Sequence, residues 1–268
     1  MMTRWPAYCA VVISALVVLS SLVGILDPAT YARETATWVA QGVGQDWANL
    51  LVVAPFLALA GVLALRGSRL ATVLLGGGLI YVMYSFVLYS FAVHFNSLFL
   101  VYCATLGLAV FGLGGLAAEA IRKRHDGWFD DRAPRRLLGG YLLGSALLFA
   151  ALWLSEDIPA ILRGTPPASL ADVGLATNPV HVLDLAIVLP AMAIAGIALL
   201  RGRAPWAAIM GTWMAKFAVL MDAALVGMFL ALRARGLPAG VGLIAVFGLF
   251  TAISLAVVVS FLSSMRHA

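Results

Sequence analysis

Charge is scarce in this chain. Asp, Glu, Lys and Arg together supply 11% of its 268 residues, against roughly a quarter in soluble globular domains. So little charge cannot solvate the surface of an ordinary domain, and a soluble globular protein is excluded. Cysteine is nearly absent as well: Cys9 and Cys103 form no Cys-x-x-Cys pair, which argues against thiol–disulfide exchange. They fall toward opposite sides of the membrane and are not expected to meet. Also missing is any Gly-x-Gly-x-x-Gly in a strand-turn-helix setting that could cradle phosphate. The motifs of intramembrane rhomboid or CAAX-type proteases, prenyl transferases and phospholipid phosphatases are missing too.

What the chain does have is apolar length. Hydrophobic residues make up 63% of the sequence and the mean hydropathy is +1.02. Runs of about 20 apolar residues can cross about 30 Å of hydrocarbon. They occupy residues 6–26, 47–65, 70–93, 97–118, 137–157, 179–200, 205–232 and 240–262. Backbone groups inside lipid must be paired within their own segment, so the reading is an all-α polytopic membrane protein with eight transmembrane helices. The first run is too long for a signal-peptide core and is expected to be retained.

The positive charges orient these spans. With both termini in the cytoplasm, Arg4, Arg66, Arg69, Arg122, Lys123, Arg124, Arg132, Arg135, Arg136, Arg201, Arg203 and Arg266 lie inside. Arg33, Arg163, Arg233 and Arg235 fall outside, and Lys216 lies within a span. This positive-inside bias implies a plasma (inner) membrane protein with cytoplasmic termini. Topology therefore accounts for the net charge of +5. No aromatic and basic pattern supports a nucleic-acid partner. The stretch from Arg122 to Arg136, which also holds Asp126, Asp130 and Asp131, is expected near anionic headgroups.

A segment returns along the chain. Pro55-Phe-Leu-Ala-Leu-Ala-Gly-Val-Leu-Ala-Leu-Arg-Gly67 matches Pro190-Ala-Met-Ala-Ile-Ala-Gly-Ile-Ala-Leu-Leu-Arg-Gly202 at 7 of 13 positions with an offset of 135 residues. Gly76 matches Gly211 in the same register, and neighbouring runs align at offsets of 131 and 136. The expected organisation is two four-helix repeats, residues 1–136 with a basic linker and 137–268. An even number of spans per copy gives both copies the same orientation. The segments 27–46 and 158–178 read as long outer loops forming a lid or cap, with Tyr31, Trp38 and Trp47 at headgroup level. Gly76-Gly-Gly78, Gly112-Leu-Gly-Gly115 and Gly140-x-x-x-Gly144 offer surfaces for close helix packing.

Ionisable groups at membrane depth are costly and normally face a cavity or a partner. In Asn178-Pro-Val-His181-Val-Leu-Asp184, Asn178 suits the helix N-cap ahead of Pro179, while His181 and Asp184 share one side of the helix. Their counterparts at the 135-residue offset are Asp46 and Asn49. Glu156 and Asp157, and His94 with Asn96, end other spans on the same side, either simply meeting water there or lining one vestibule. His and carboxylate groups of this kind could bind a divalent metal, but without paired ligand spacing no metal site is assigned. Lys216 falls about 17 Å along its helix, near the midplane, where Asp184 or Asp222 could serve as its counter-ion. Tyr81 takes its place in the first repeat, and Tyr81 and Tyr84 offer hydroxyls across the repeat axis, although their stripe also suits plain packing.

Thr177-Asn-Pro-Val-His-Val-Leu-Asp-Leu185, together with His94-Phe-Asn96, resembles a group of uncharacterised multi-pass bacterial membrane proteins. The resemblance covers most of the third to sixth spans and implies no activity, cofactor or catalytic residue. The leading expectation is a transport or small-molecule-binding protein with an outward-facing polar cavity between the repeats. An integral membrane enzyme acting on a lipid or isoprenoid-like substrate is the alternative, with Glu156, Asp157 or Asp184 as acid and His181 or His94 as base. A structural subunit of a membrane complex is the third. The expected partners are the bilayer and a small-molecule or lipid-like ligand, with a homo-oligomer left open.

Overall fold

The computed structural model describes residues 4–123, 125–130, 132–202 and 206–265. Arg124, Asp131, Arg203, Pro205 and Arg266, and the side chain of Asp126, lie outside this description. Eight helices are long and apolar enough to cross a membrane: α1 (Trp5–Leu26), α2 (Ala36–Leu65), α3 (Arg69–Phe91), α4 (Phe99–Lys123), α5 (Arg135–Arg163), α6 (Pro179–Arg201), α7 (Trp206–Ala234) and α8 (Val241–Leu262). The architecture is all-helical. Among the described residues, extended pairing is confined to one bridge between Phe129 and Met265.

The middle of the bundle is the crossing of α3 and α7. Small residues make that crossing possible: a Cβ on Gly76 would meet the Trp213 ring at 2.3 Å, and one on Gly77 would meet the Lys216 Cβ at 2.5 Å. Around this pair, α1 packs on α2 and α4, α5 packs on α6, and α8 packs on α7. The periphery is uneven. α1 and α4 lie along each other, with Gly112 against Cys9 and Gly115 against Pro6, whereas α5 touches α8 only sparsely.

Two helices change their winding at matching points. α2 contains a π-turn at Asn49–Val53 and α6 one at Asp184–Val188. In these turns the Ala54 N–H reaches back to the Asn49 carbonyl, and the Leu189 N–H to the Asp184 carbonyl. The next residues are Pro55 and Pro190, which have no N–H and crowd the preceding turn, so a wider turn relieves the clash. Ser14 Oγ donates to the Ala54 carbonyl at 2.8 Å. Past the prolines, a Cβ on Gly61 would collide with Val11 of α1, and one on Gly196 with the Gly139 carbonyl of α5. Each Arg-Gly pair then ends its helix with glycine at positive φ, +92° at Gly67 and +64° at Gly202, a conformation that costs glycine nothing. Ser68 caps α3 by accepting the Ala71 N–H.

The expected long loops are largely helix. Residues 36–48 continue α2 beyond the membrane-length core, begun by Thr35 accepting the Trp38 N–H at 3.2 Å. Gly44 brings this extension onto α7: a Cβ there would lie 2.5 Å from the Met228 Cα. Helical burial of Gly44, Gln45 and Asp46 overrides a composition that reads as loop. α5 likewise continues through Pro159 to Arg163, and a short helix, Ala168–Val173, follows. Tyr31 is folded inward, 3% exposed, rather than presented to lipid. Gly140 and Gly144 meet no atom within 4 Å of a built Cβ, so that pair packs no helix of this chain.

These close approaches give a test. Gly44→Ala must push backbone from backbone and should destabilise by about 1–3 kcal/mol, the usual range for overpacking. Gly140→Ala faces open space and should change stability by no more than about 0.5 kcal/mol. Melting of both variants in detergent checks the contrast.

Candidate ligand cavity

A cavity of about 330 Å³ lies among α2, α3, α5, α6, α7 and α8. Most of its wall is apolar and aromatic. α3 brings Tyr84 and α7 brings Phe217, their rings 5.6 Å apart, while Phe149 of α5 faces Phe250 of α8 at 5.9 Å. Set into this wall are two carboxylates, Asp184 and Asp222, with Tyr141 and Gln45.

Asp222 is held from behind by one donor, and Asp184 by one donor with the Tyr84 hydroxyl also beside it. Asp184 is the first residue of the α6 π-turn, and its Oδ2 accepts Trp153 Nε1–H at 2.8 Å. The Trp153 ring stacks on the His181 imidazole at 4.4 Å, and His181 Nδ1 lies 3.0 Å from Asp157 Oδ1. A carboxylate only accepts, so Nδ1 carries the proton in this pair. On the other wall Asp222 Oδ2 accepts Ser254 Oγ–H at 2.8 Å, and the Tyr141 hydroxyl sits 2.6 Å from the same Ser254 oxygen. Ser254 thus ties α5, α7 and α8 together at the point where α5 and α8 come close.

The corresponding place in α2 is filled rather than hollow. Asp46 is 1% exposed, and its two oxygens accept from Tyr31 at 2.6 Å and Tyr89 at 2.8 Å. Asn49, first residue of the α2 π-turn, accepts the Tyr81 hydroxyl at 2.9 Å. Tyr89 stacks on Tyr102 at 5.2 Å, and Tyr31 and Tyr89 present their other sides to the cavity. Burial pushes the Tyr31 phenol well above its ordinary pKa and the nearby Asp46 charge adds to this, so Tyr31 remains a neutral donor.

Asp184, Asp222 and Tyr84 therefore meet at one cavity, with His181 and Asp157 just behind it. Lys216 is not among them. Its Nζ sits 4.1 Å from the centre of the Phe56 ring, and no ion pair involves it among the described residues. The reason is angular: six residues along a helix leave Lys216 and Asp222 roughly 120° apart, so Asp222 faces α8 while Lys216 faces α2 and α3. Tyr81 belongs to the closed Asp46 network. Asn178 Oδ1 caps α6, accepting the Val180 and His181 N–H groups. Glu156 accepts the Ser169 N–H of the short helix. His94 pairs with the buried Glu34 carboxylate at 3.0 Å, and Asn96 accepts the Leu98 N–H. Among the described residues no three His, Cys, Asp or Glu side chains converge as metal ligands.

Sequence reasoning passed over Trp153, Tyr141, Ser254, Tyr31, Tyr89 and Glu34. Trp153 had a signal, four residues ahead of Asp157 on one helix face. Ser254 and Tyr141 had none, since 113 residues separate them. No family model, no curated protein and no solved structure matches this chain.

Tyr89 carries a load that can be measured. Tyr89→Phe removes a donor from Asp46 inside the bundle and should lower stability by about 1–2 kcal/mol. The same change at Tyr8, a half-exposed residue, should be close to neutral in the same melting assay.

Proposed function

We propose that this chain is an integral membrane protein that binds, and in doing so transports, a small molecule in the cavity that Asp184 and Asp222 line. One observation carries the reading: two carboxylates from different helices share an apolar cavity of about 330 Å³, the size and character of a drug-sized ligand site. Carboxylates are costly at this depth, and structural anchoring alone would have them enclosed, as Asp46 is.

The two halves derive from one duplicated four-helix unit, residues 1–136 and 137–268. Supporting this are the π-turns 135 residues apart, the matched glycines that press α2 on α1 and α6 on α5, and the matched left-handed Gly67 and Gly202. Binding between repeats of like orientation is a recurrent transporter arrangement. The distribution of Arg and Lys favours cytoplasmic termini in a plasma membrane, with the cavity toward the outer face.

Blocking the cavity tests the proposal. Ala218 lines it, and Ala218→Trp should fill it. In a thermal-shift screen of small molecules, a ligand at 100 times its Kd should raise the wild-type melting temperature by about 5–10 °C and leave Ala218→Trp unmoved. Wild-type proteoliposomes should accumulate that ligand, and variant ones should not. A library without hits, or hits that shift both proteins equally, contradicts the cavity as the site. Binding without accumulation removes transport and leaves binding.

A further inference from the structure

The charge of the cavity wall points to the kind of molecule that fits it, an inference that rests on the cavity being a ligand site. Asp184 and Asp222 are its ionisable acids, and no Lys, Arg or His stands among the lining residues. Outside the lining, Lys216 lies over Phe56, and His181 sits behind the Trp153 ring with its Nδ1 on Asp157, near enough to interact with Asp184. Asp222 is 5% exposed, with one oxygen bound by Ser254 and no donor on the other among the described residues.

A carboxylate in low-dielectric surroundings needs a counter-charge. A neutral occupant leaves that need unmet, and an anionic one adds repulsion. Aromatic faces strengthen the preference, because a cation within about 6 Å of a ring centre is attracted to its electron-rich face. Tyr84, Phe217, Phe149 and Phe250 supply such rings and also a surface for an apolar body. Gln45, 6% exposed, adds an uncharged amide to the wall.

We propose that the cavity recognises a lipophilic organic cation, an ammonium- or phosphonium-type charge met by Asp184 and Asp222 and carried on an apolar body held by the aromatic walls. The test compares tetraphenylphosphonium, neutral triphenylphosphine oxide and anionic tetraphenylborate by equilibrium binding to the purified full-length protein. Wild type should bind the phosphonium about tenfold or more tightly than either other probe, as expected of a charge pair shielded from water. Asp222→Asn should lower phosphonium affinity by about tenfold and should not weaken binding of the neutral probe. Asp184→Asn is the second variant should Asp222→Asn fail to fold, and charge preference in the wild type needs no variant.

Equal or tighter binding of the neutral or anionic probe, still abolished by Ala218→Trp, overturns cation recognition and leaves the cavity as a ligand site. Phosphonium binding that is insensitive to Ala218→Trp overturns both, and absence of phosphonium binding overturns cation recognition.

Discussion

A carboxylate inside a membrane must be answered by something, and this chain answers Asp46 in one way and Asp184 and Asp222 in another. Asp46 is enclosed: two tyrosine hydroxyls take its two oxygens, and the same Tyr31 and Tyr89 stand between it and the cavity they line. Asp184, held by Trp153 with the Tyr84 hydroxyl beside it, and Asp222, held by Ser254, front a hollow. The cost of leaving a buried acceptor unmatched, about 1–3 kcal/mol and more when it is charged, makes the second arrangement hard to maintain unless another molecule completes it. The cavity, its aromatic walls and the proposed cationic occupant all follow from that difference.

The backbone sets up this choice. Pro55 and Pro190 cannot close a regular helical turn, and the π-turn ahead of each places Asn49 or Asp184 at its first position. In α2 the side chain there is an amide that Tyr81 satisfies; in α6 it is an acid braced by an indole. α1 and α4 then close one side of the bundle, while α5 and α8 meet around Ser254 and the paired Phe149 and Phe250 rings. Under the proposed duplication, the cavity lies between the copies, with its two carboxylates supplied by the second.

Much of the fold could be read from residue order. Eight spans follow from apolar length, and most of their ends lie within a few residues of Ser68, the Arg-Gly pairs and Asn178. The extension of α2 could not, because Gly42, Gly44, Gln45 and Asp46 look like loop until the Met228 backbone is known to lie against Gly44. At the site, Asp184 and Asp222 were legible because ionisable residues stand out in an apolar sequence. Lys216 stands out equally, yet its direction depends on helix rotation, which the sequence leaves undetermined here. Trp153, Tyr141 and Ser254 act through contacts between distant helices, and a single sequence has no mark for those.

The contrast between an enclosed and a hollow position is open to direct measurement with Met221, which lines the cavity, and Phe86, 135 residues earlier and 1% exposed. With Cys9 and Cys103 replaced by alanine, Met221→Cys and Phe86→Cys would be exposed in turn to methyl methanethiosulfonate, and the rate of modification followed by intact-mass spectrometry. The account predicts that the cysteine at position 221 reacts far faster than the one at position 86. Equal rates in the folded protein, or faster reaction at position 86, would contradict it.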